Sequence, residues 1–250
     1  MAILKSLEEI KIMKESCRIT ALVLQKLKES IRPGMTTSEL DMLAREECVK
    51  YRARPAFLGY RGYTAAVCVS INDEVIHGIP SPKRVIKNGD IVSLDFGVEK
   101  DGFYGDSALT VPVGDVEAKY QRLIDITRNA LEKGIAKACA GNRLHDISAA
   151  IQGYVEKNGF SVVRDFTGHA IGRALHEDPM VPNFGKPGTG ETLQVGMTLA
   201  IEPMVNEKRF EVKVLKDKWT TVTVDGGMSA HYEHTIAITE NGPIILTLPE

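Results

Sequence analysis

Apolar residues recur at Ile10, Met13, Cys17 and Leu24, just after the stretch Ser6-Leu7-Glu8-Glu9. A serine three residues before a glutamate is a capping box, in which each side chain satisfies a free backbone N–H at a helix start. The pattern predicts an amphipathic helix that Pro33-Gly34 ends. A second helix is predicted from about Thr37, with Leu40, Leu43, Ala44 and Cys48 on one face. Residues 116–137 and 145–157 read as two more, the latter stopped by Asn158-Gly159. Six segments are instead rich in β-formers: 67–71, 91–98, 108–113, 198–205, 220–224 and 233–239. Strands and helices come in runs, which predicts an α+β fold with a largely antiparallel sheet. No linker-like stretch divides the chain, so one domain over residues 1–250 is expected.

Two strand segments resemble each other. Gly89-Asp90-Ile91-Val92-Ser93-Leu94-Asp95 and Gly196-Met197-Thr198-Leu199-Ala200-Ile201-Glu202 each place an acid six residues after a turn glycine. Side chains alternate between the two faces of a strand. Val92, Leu94, Phe96 and Val98 then share an apolar face, and Asp95 lies opposite with Ser93 and Gly97. In the second segment Leu199, Ile201, Pro203 and Val205 share the apolar face, and Glu202 lies opposite with Thr198, Ala200 and Met204. Two related halves, each bringing an acid to a shared cleft, would produce this pattern.

Composition is ordinary for a globular protein, and a formal net charge of −2 argues against general attraction to nucleic acid or acidic membranes. Cys17, Cys48, Cys68 and Cys139 form no Cys-x-x-Cys pair, which argues against a zinc ribbon or redox motif and favours reduced thiols. The charged N-terminus has no signal-peptide core and no apolar run reaches a membrane span, so a cytoplasmic protein is expected.

The candidate chemistry lies in five residues. Asp106 follows Asp95 after a turn at Lys100-Asp101-Gly102, so a hairpin would bring the two acids together. Glu233 opens a strand segment after a hairpin-like stretch that follows Glu202, and His169 sits between the glycines of Gly168-His169-Ala170-Ile171-Gly172. Four carboxylates in one cleft repel one another, and two divalent cations balance them. An oxygen-rich set with one imidazole suits Mn, Fe or Co, and paired ions can activate water and polarise a carbonyl. A hydrolase is the natural expectation. His145, His231 and His234 are read as helix-start or packing residues, and the Lys/Glu cluster at 26–29 as a solvated helix face.

At these residues the sequence resembles the type I methionine aminopeptidases over nearly its whole length. The resemblance is carried by Gly89-Asp90-Ile91-Val92-Ser93-Leu94-Asp95, Asp101-Gly102-Phe103-Tyr104-Gly105-Asp106, Gly168-His169-Ala170-Ile171-Gly172-Arg173, Met197-Thr198-Leu199-Ala200-Ile201-Glu202-Pro203 and Ser229-Ala230-His231-Tyr232-Glu233-His234-Thr235. It implies the pita-bread fold with pseudo-twofold halves. It implies two divalent ions per chain (Co, Mn, Fe, Zn or Ni, with Mn or Fe favoured in cells), bridged by Asp106 and Glu233 and held at the ends by Asp95 and His169. Glu202 would be both ligand and acid–base, His77 would contact substrate near the scissile amide, and His176 would stabilise the oxyanion. Phe57, Tyr60, Tyr63, Cys68, Leu175 and Trp219 would wall the methionine pocket. The implied substrate is the initiator methionine of nascent polypeptides with a small second residue, cut by a monomer without nucleic-acid or membrane partners; ribosome contact is left open. Ala170, Leu175 and Phe57 stand where the family commonly has glycine, phenylalanine and a small residue or cysteine, which affects pocket shape and no expected ligand. A proline-directed peptidase of the same fold is the main rival, and it usually carries a substantial extra N-terminal domain.

Overall fold

A computed structural model describes residues 2–249. Helix α1 (Leu7–Ser30) opens on the expected capping box: the Ser6 hydroxyl accepts from the Glu9 N–H at 3.2 Å, and the Glu9 carboxylate accepts from the Ser6 N–H at 2.8 Å. Thr36 and Glu39 repeat the device at α2 (Thr37–Lys50). Helices α3 (Ala118–Ile135) and α4 (Leu144–Lys157) follow close to their expected bounds. Among the described residues no helix is long and apolar enough to cross a membrane.

Strands β1 (Arg54–Pro55), β2 (Cys68–Ile71), β3 (Glu74–Ile76), β4 (Ile91–Lys100) and β5 (Phe103–Pro112) lie between α2 and α3. After α4 come β6 (Ser161–Val162), β7 (Gly168–Ala170), β8 (Glu177–Val181), β9 (Thr198–Ile201) and β10 (Met204–Asn206). The series ends with β11 (Val212–Val214), β12 (Thr221–Thr223), β13 (Ser229–His231), β14 (Glu233–Thr239) and β15 (Gly242–Ile245). Nine of them form one antiparallel sheet with the path β1-β4-β5-β14-β9-β7-β8, β2 pairing with β4 and β15 with β14. Two small sheets, β13-β10-β6 and β11-β12-β3, complete the strands. The fold is α+β, and its sheet is antiparallel as the pattern predicted.

The two halves are visible in the packing. Val92, Leu94, Phe96 and Val98 of β4 are sealed beneath Leu24 and Leu27 of α1 and Leu40 of α2. Leu199 and Ile201 of β9 and Ile236 of β14 are sealed beneath Leu123 of α3 and Ile147 of α4. Pairing of β5 with β14, through Ala108 with Glu233 and Ser107 with His234, joins the halves. The opposite face of each half turns toward the polar site.

Strand β4 turns into β5 through Asp101 and Gly102, both at positive φ (54° and 80°), as a tight hairpin turn requires. The expected strand over 198–205 is interrupted. β9 ends at Ile201 and β10 begins at Met204, because Pro203 has no N–H to give the ladder. Pro203 therefore does not extend an apolar strand face, and Glu202 stands at the break rather than inside a strand.

Close approach of α1 to β5 depends on Gly105. A Cβ there would lie 2.6 Å from Cys17 Cα and 2.7 Å from Cys17 N, both backbone atoms of α1. Gly105→Ala is expected to destabilise the protein by about 1–3 kcal/mol, the usual range for overpacking. Thermal unfolding followed by circular dichroism reads this as a Tm lowered by several degrees. An unchanged Tm would mean that α1 does not seat on β5 this closely.

Candidate metal centre

Register in the main sheet aligns the acidic side chains. Cys68 of β2, Asp95 of β4, Ala108 of β5 and Glu233 of β14 lie opposite one another in a single row across four strands. Asp106 is two residues before Ala108 and shares its face. A second row runs through His169, Ala200 and Thr235. Ala108 and Ala200 are the small members between the larger polar groups, so the rows form a shallow floor with the acids and the imidazole around it. Thr235 Oγ1 anchors Asp106 at both ends of its peptide, accepting from its N–H at 3.1 Å and donating to its carbonyl at 2.7 Å.

Above this floor is a cavity of about 140 Å³ lined by Asp95, Asp106, His169, Glu202 and Glu233. Asp106, His169 and Glu233 each offer an atom such that the three lie within 4.8 Å of one another. Asp95 and Glu202 are outside that closest group, and Glu202 Oε1 is 3.6 Å from His169 Nε2. The Ala170 carbonyl accepts from His169 Nδ1 at 3.0 Å, which leaves the Nε2 lone pair facing the cavity, the tautomer a cation needs. Burial also pulls His169 down to about 3, with the neighbouring His176 adding to the effect, so this imidazole is neutral.

The electrostatics call for positive charge. Burial pushes Asp95 up to about 7 and Glu202 up to about 8. Asp106 and Glu233 are pushed well above the usual carboxylate range, first by burial and then by the neighbouring carboxylates. Asp106 Oδ1 and Glu233 Oε1 are buried with no hydrogen-bond partner. Orphaned carboxylate oxygens around one neutral nitrogen fit a divalent cation.

The rest of the cavity is aromatic and apolar. Its walls are Phe57, Tyr60, Tyr63, Cys68, Leu175 and Trp219, with His77 and His176 reaching in between. Tyr60 stacks on His176 at 5.2 Å, and the His176 ring is 4.2 Å from that of His169. Trp219 meets Tyr63 edge-on at 5.0 Å and His77 at 5.9 Å. Burial holds His77 down at about 4; burial and then the charge of Arg61 hold His176 there too. The segment carrying Leu175 and His176 is braced by Glu177, whose buried carboxylate accepts from Lys5 Nζ and from the N–H groups of Arg173 (2.8 Å) and Ala174 (3.2 Å).

Two residues at the site were not expected there from the sequence, Arg61 in the cavity wall and His231 behind Glu202. Arg61 lines the wall from a turn at positive φ (49°), its guanidinium 5.4 Å from the Tyr60 ring. His231 is only 1% exposed, and its Nε2 is 3.5 Å from Glu202 Oε2. Read as a packing residue, His231 in fact faces the acids; its place two residues before Glu233 was the signal, since such a spacing puts both on one face. His234 lies elsewhere, its Nδ1 2.8 Å from Thr247 Oγ1, and His145 pairs with Thr189 at 2.8 Å.

Residues 11–240 match the model of metallopeptidase family M24. A methionine aminopeptidase of Clostridium perfringens is 54% identical over 248 residues, covering 99% of both chains. The chain belongs to family M24, among the type I methionine aminopeptidases. The crystal structure of a methionine aminopeptidase from Thermotoga maritima superposes on this enzyme with a TM-score of 0.97 at 50% identity, again over 99% of both chains. A prolidase from Pyrococcus furiosus shares the fold alone, at 23% identity and a TM-score of 0.79, and the enzyme spans only 66% of that chain. The family is one of metal-dependent peptidases, in keeping with the buried acids and imidazole described above.

Proposed function

We propose that the enzyme removes the N-terminal methionine from nascent polypeptides in the cytoplasm, acting as a monomeric single-domain catalyst that uses two divalent ions and prefers a small second residue. The observation that carries this reading is one cavity in which an aromatic, apolar wall meets five metal-type ligands. Asp95, Asp106, His169, Glu202 and Glu233 would hold the ions, and Glu202 would also move the proton. Bound ions of the Mn or Fe type supply Lewis-acid polarisation and make water a better nucleophile.

The remaining chemistry belongs to the chain. The substrate's free α-amine meets the acid-rich end of the cavity, which confines cleavage to the first residue. Phe57, Tyr60, Tyr63, Cys68, Leu175 and Trp219 enclose the methionine thioether, for which aromatic walls are suited. Phe57 is larger and Leu175 smaller than the residues common at those positions, opposite changes that keep the pocket filled. Glu202 takes a proton from the attacking water and returns it to the departing amine as the peptide C–N bond breaks. Neutral His176 donates a hydrogen bond to the carbonyl oxygen as negative charge builds there. His77 contacts the scissile amide from the Trp219 side.

Comparison of Met-Ala-Ser with Ala-Pro peptides tests the reading. The methionyl peptide is expected to be the strongly preferred substrate, and a preference for Ala-Pro would replace this proposal with a proline-directed peptidase.

A further inference from the structure

We propose that His231 is a positioning residue for Glu202, its Nε2–H holding one carboxylate oxygen so that the other stays on the side of His169. The inference rests on the reading of Glu202 as the proton carrier.

Glu202 lies between two imidazoles: Oε1 is 3.6 Å from His169 Nε2, and Oε2 is 3.5 Å from His231 Nε2. The two rings are not equivalent. His169 has committed its Nδ1–H to the Ala170 carbonyl, so its Nε2 has no hydrogen to donate. His231 Nε2 has no hydrogen-bond partner at all and is fully enclosed. An enclosed polar nitrogen without a partner is costly, and a carboxylate oxygen is the acceptor beside it. A small rotation of either side chain brings 3.5 Å into hydrogen-bonding range.

The backbone of His231 is held in place for this. Its N–H donates to Thr110 Oγ1 at 2.9 Å, and its carbonyl accepts from the same hydroxyl at 2.9 Å. Ser93 Oγ is 2.9 Å from that hydroxyl. On the other side His231 pairs with Met204, two residues after Glu202. Glu202 itself stands at the Pro203 break, where Asn183 Nδ2 donates to its carbonyl at 2.9 Å but no ladder bond flanks it, so the orientation of its carboxylate needs a side-chain anchor. A carboxylate free to rotate would offer either oxygen to either task. With Oε2 tied to His231, one oxygen is reserved for the ion side and the proton is handled in a fixed geometry.

The test compares His231→Leu, His231→Gln and His231→Asn with wild type. Glutamine can place an amide N–H near the position of Nε2, whereas the asparagine amide falls short of Glu202. Measurements are Mn²⁺ stoichiometry and affinity of chelated protein by titration calorimetry, thermal midpoint, and kcat and KM on Met-Ala-Ser. His231→Leu is expected to bind Mn²⁺ at wild-type stoichiometry and keep its KM while kcat falls about 10–100-fold, the usual effect of removing a ligand's outer partner. His231→Gln is expected to restore most of the rate and His231→Asn is not, a comparison that needs no apolar residue in the site. Loss of one equivalent of Mn²⁺ in His231→Leu would make His231 a ligand and overturn the proposal. A folded His231→Gln as slow as His231→Leu, or wild-type kcat in His231→Leu, would overturn it too. Wild-type enzyme inert toward Met-Ala-Ser would remove the functional reading itself, which is a separate result.

Discussion

Glu202→Ala is expected to lower kcat/KM on Met-Ala-Ser by at least about 10³-fold, because the variant loses the general acid–base action proposed for Glu202, worth about 10²–10⁴. It also loses a carboxylate from the ion-binding set. His77→Ala and His176→Ala are expected to differ in kind: turnover falls while ion content stays near wild type, since neither ring belongs to the proposed ligand set. Kinetics and elemental analysis on the same preparations separate these outcomes. A metal-replete Glu202→Ala variant with wild-type kinetics would refute the assignment of Glu202.

Removing divalent ions with a chelator is expected to stop turnover and to leave a protein whose stability falls as pH rises. In the ion-free state burial raises Asp95 to about 7 and Glu202 to about 8, against ordinary values of 3.8 and 4.5. The folded state then binds protons that the unfolded chain has already released. Stability from these groups is complete below the ordinary values and is lost as pH climbs through 7 to 8. His77 and His176, held near 4 against an ordinary 6.5, act in the opposite sense but only below about pH 6.5. From pH 6.5 to 8 the carboxyls therefore decide the sign. Scanning calorimetry of chelated protein should show Tm falling across that window. Mn²⁺ at about 100 times its dissociation constant should restore about 2.7 kcal/mol per site. A Tm that stays flat with pH in the chelated protein would mean that the four acids are balanced without ions.

Much of this was legible in the sequence, for identifiable reasons. Local signals dominated at the helices: Ser6 with Glu9 marks the start of α1, and Asn158-Gly159 the end of α4. Strand alternation sorted Val92, Leu94, Phe96 and Val98 from Asp95 correctly, because β4 is long and regular. The same rule also places Leu199, Ile201 and Val205 in the core and Glu202 in the cavity, but it does not show the break at Pro203, which cannot donate to the ladder. Strands of two or three residues, such as β1, β6 and β7, are too short to show any period. The placing of Phe57, Tyr60, Leu175 and Trp219 in one cavity depends on contacts between distant segments and was legible only through family resemblance. His231, two residues before Glu233, is within reach of alternation, but a single histidine in such a segment is ordinarily a packing residue and carries no signal of its own.

The row from Asp95 through Ala108 to Glu233 crosses the seam between the halves. Its consequence concerns synthesis. The first half emerges with Asp95 and Asp106 on one hairpin and His77 nearby, but without His169 and without the opposing pair of acids. His169, Glu202 and finally Glu233 arrive only as the second half is translated. Partial chains are therefore expected to be inert toward peptides, and so are halves expressed separately unless they reassemble along β5 and β14. On the proposed ligand set, competence is expected only once β14 docks against β5 and brings Glu233 to the row.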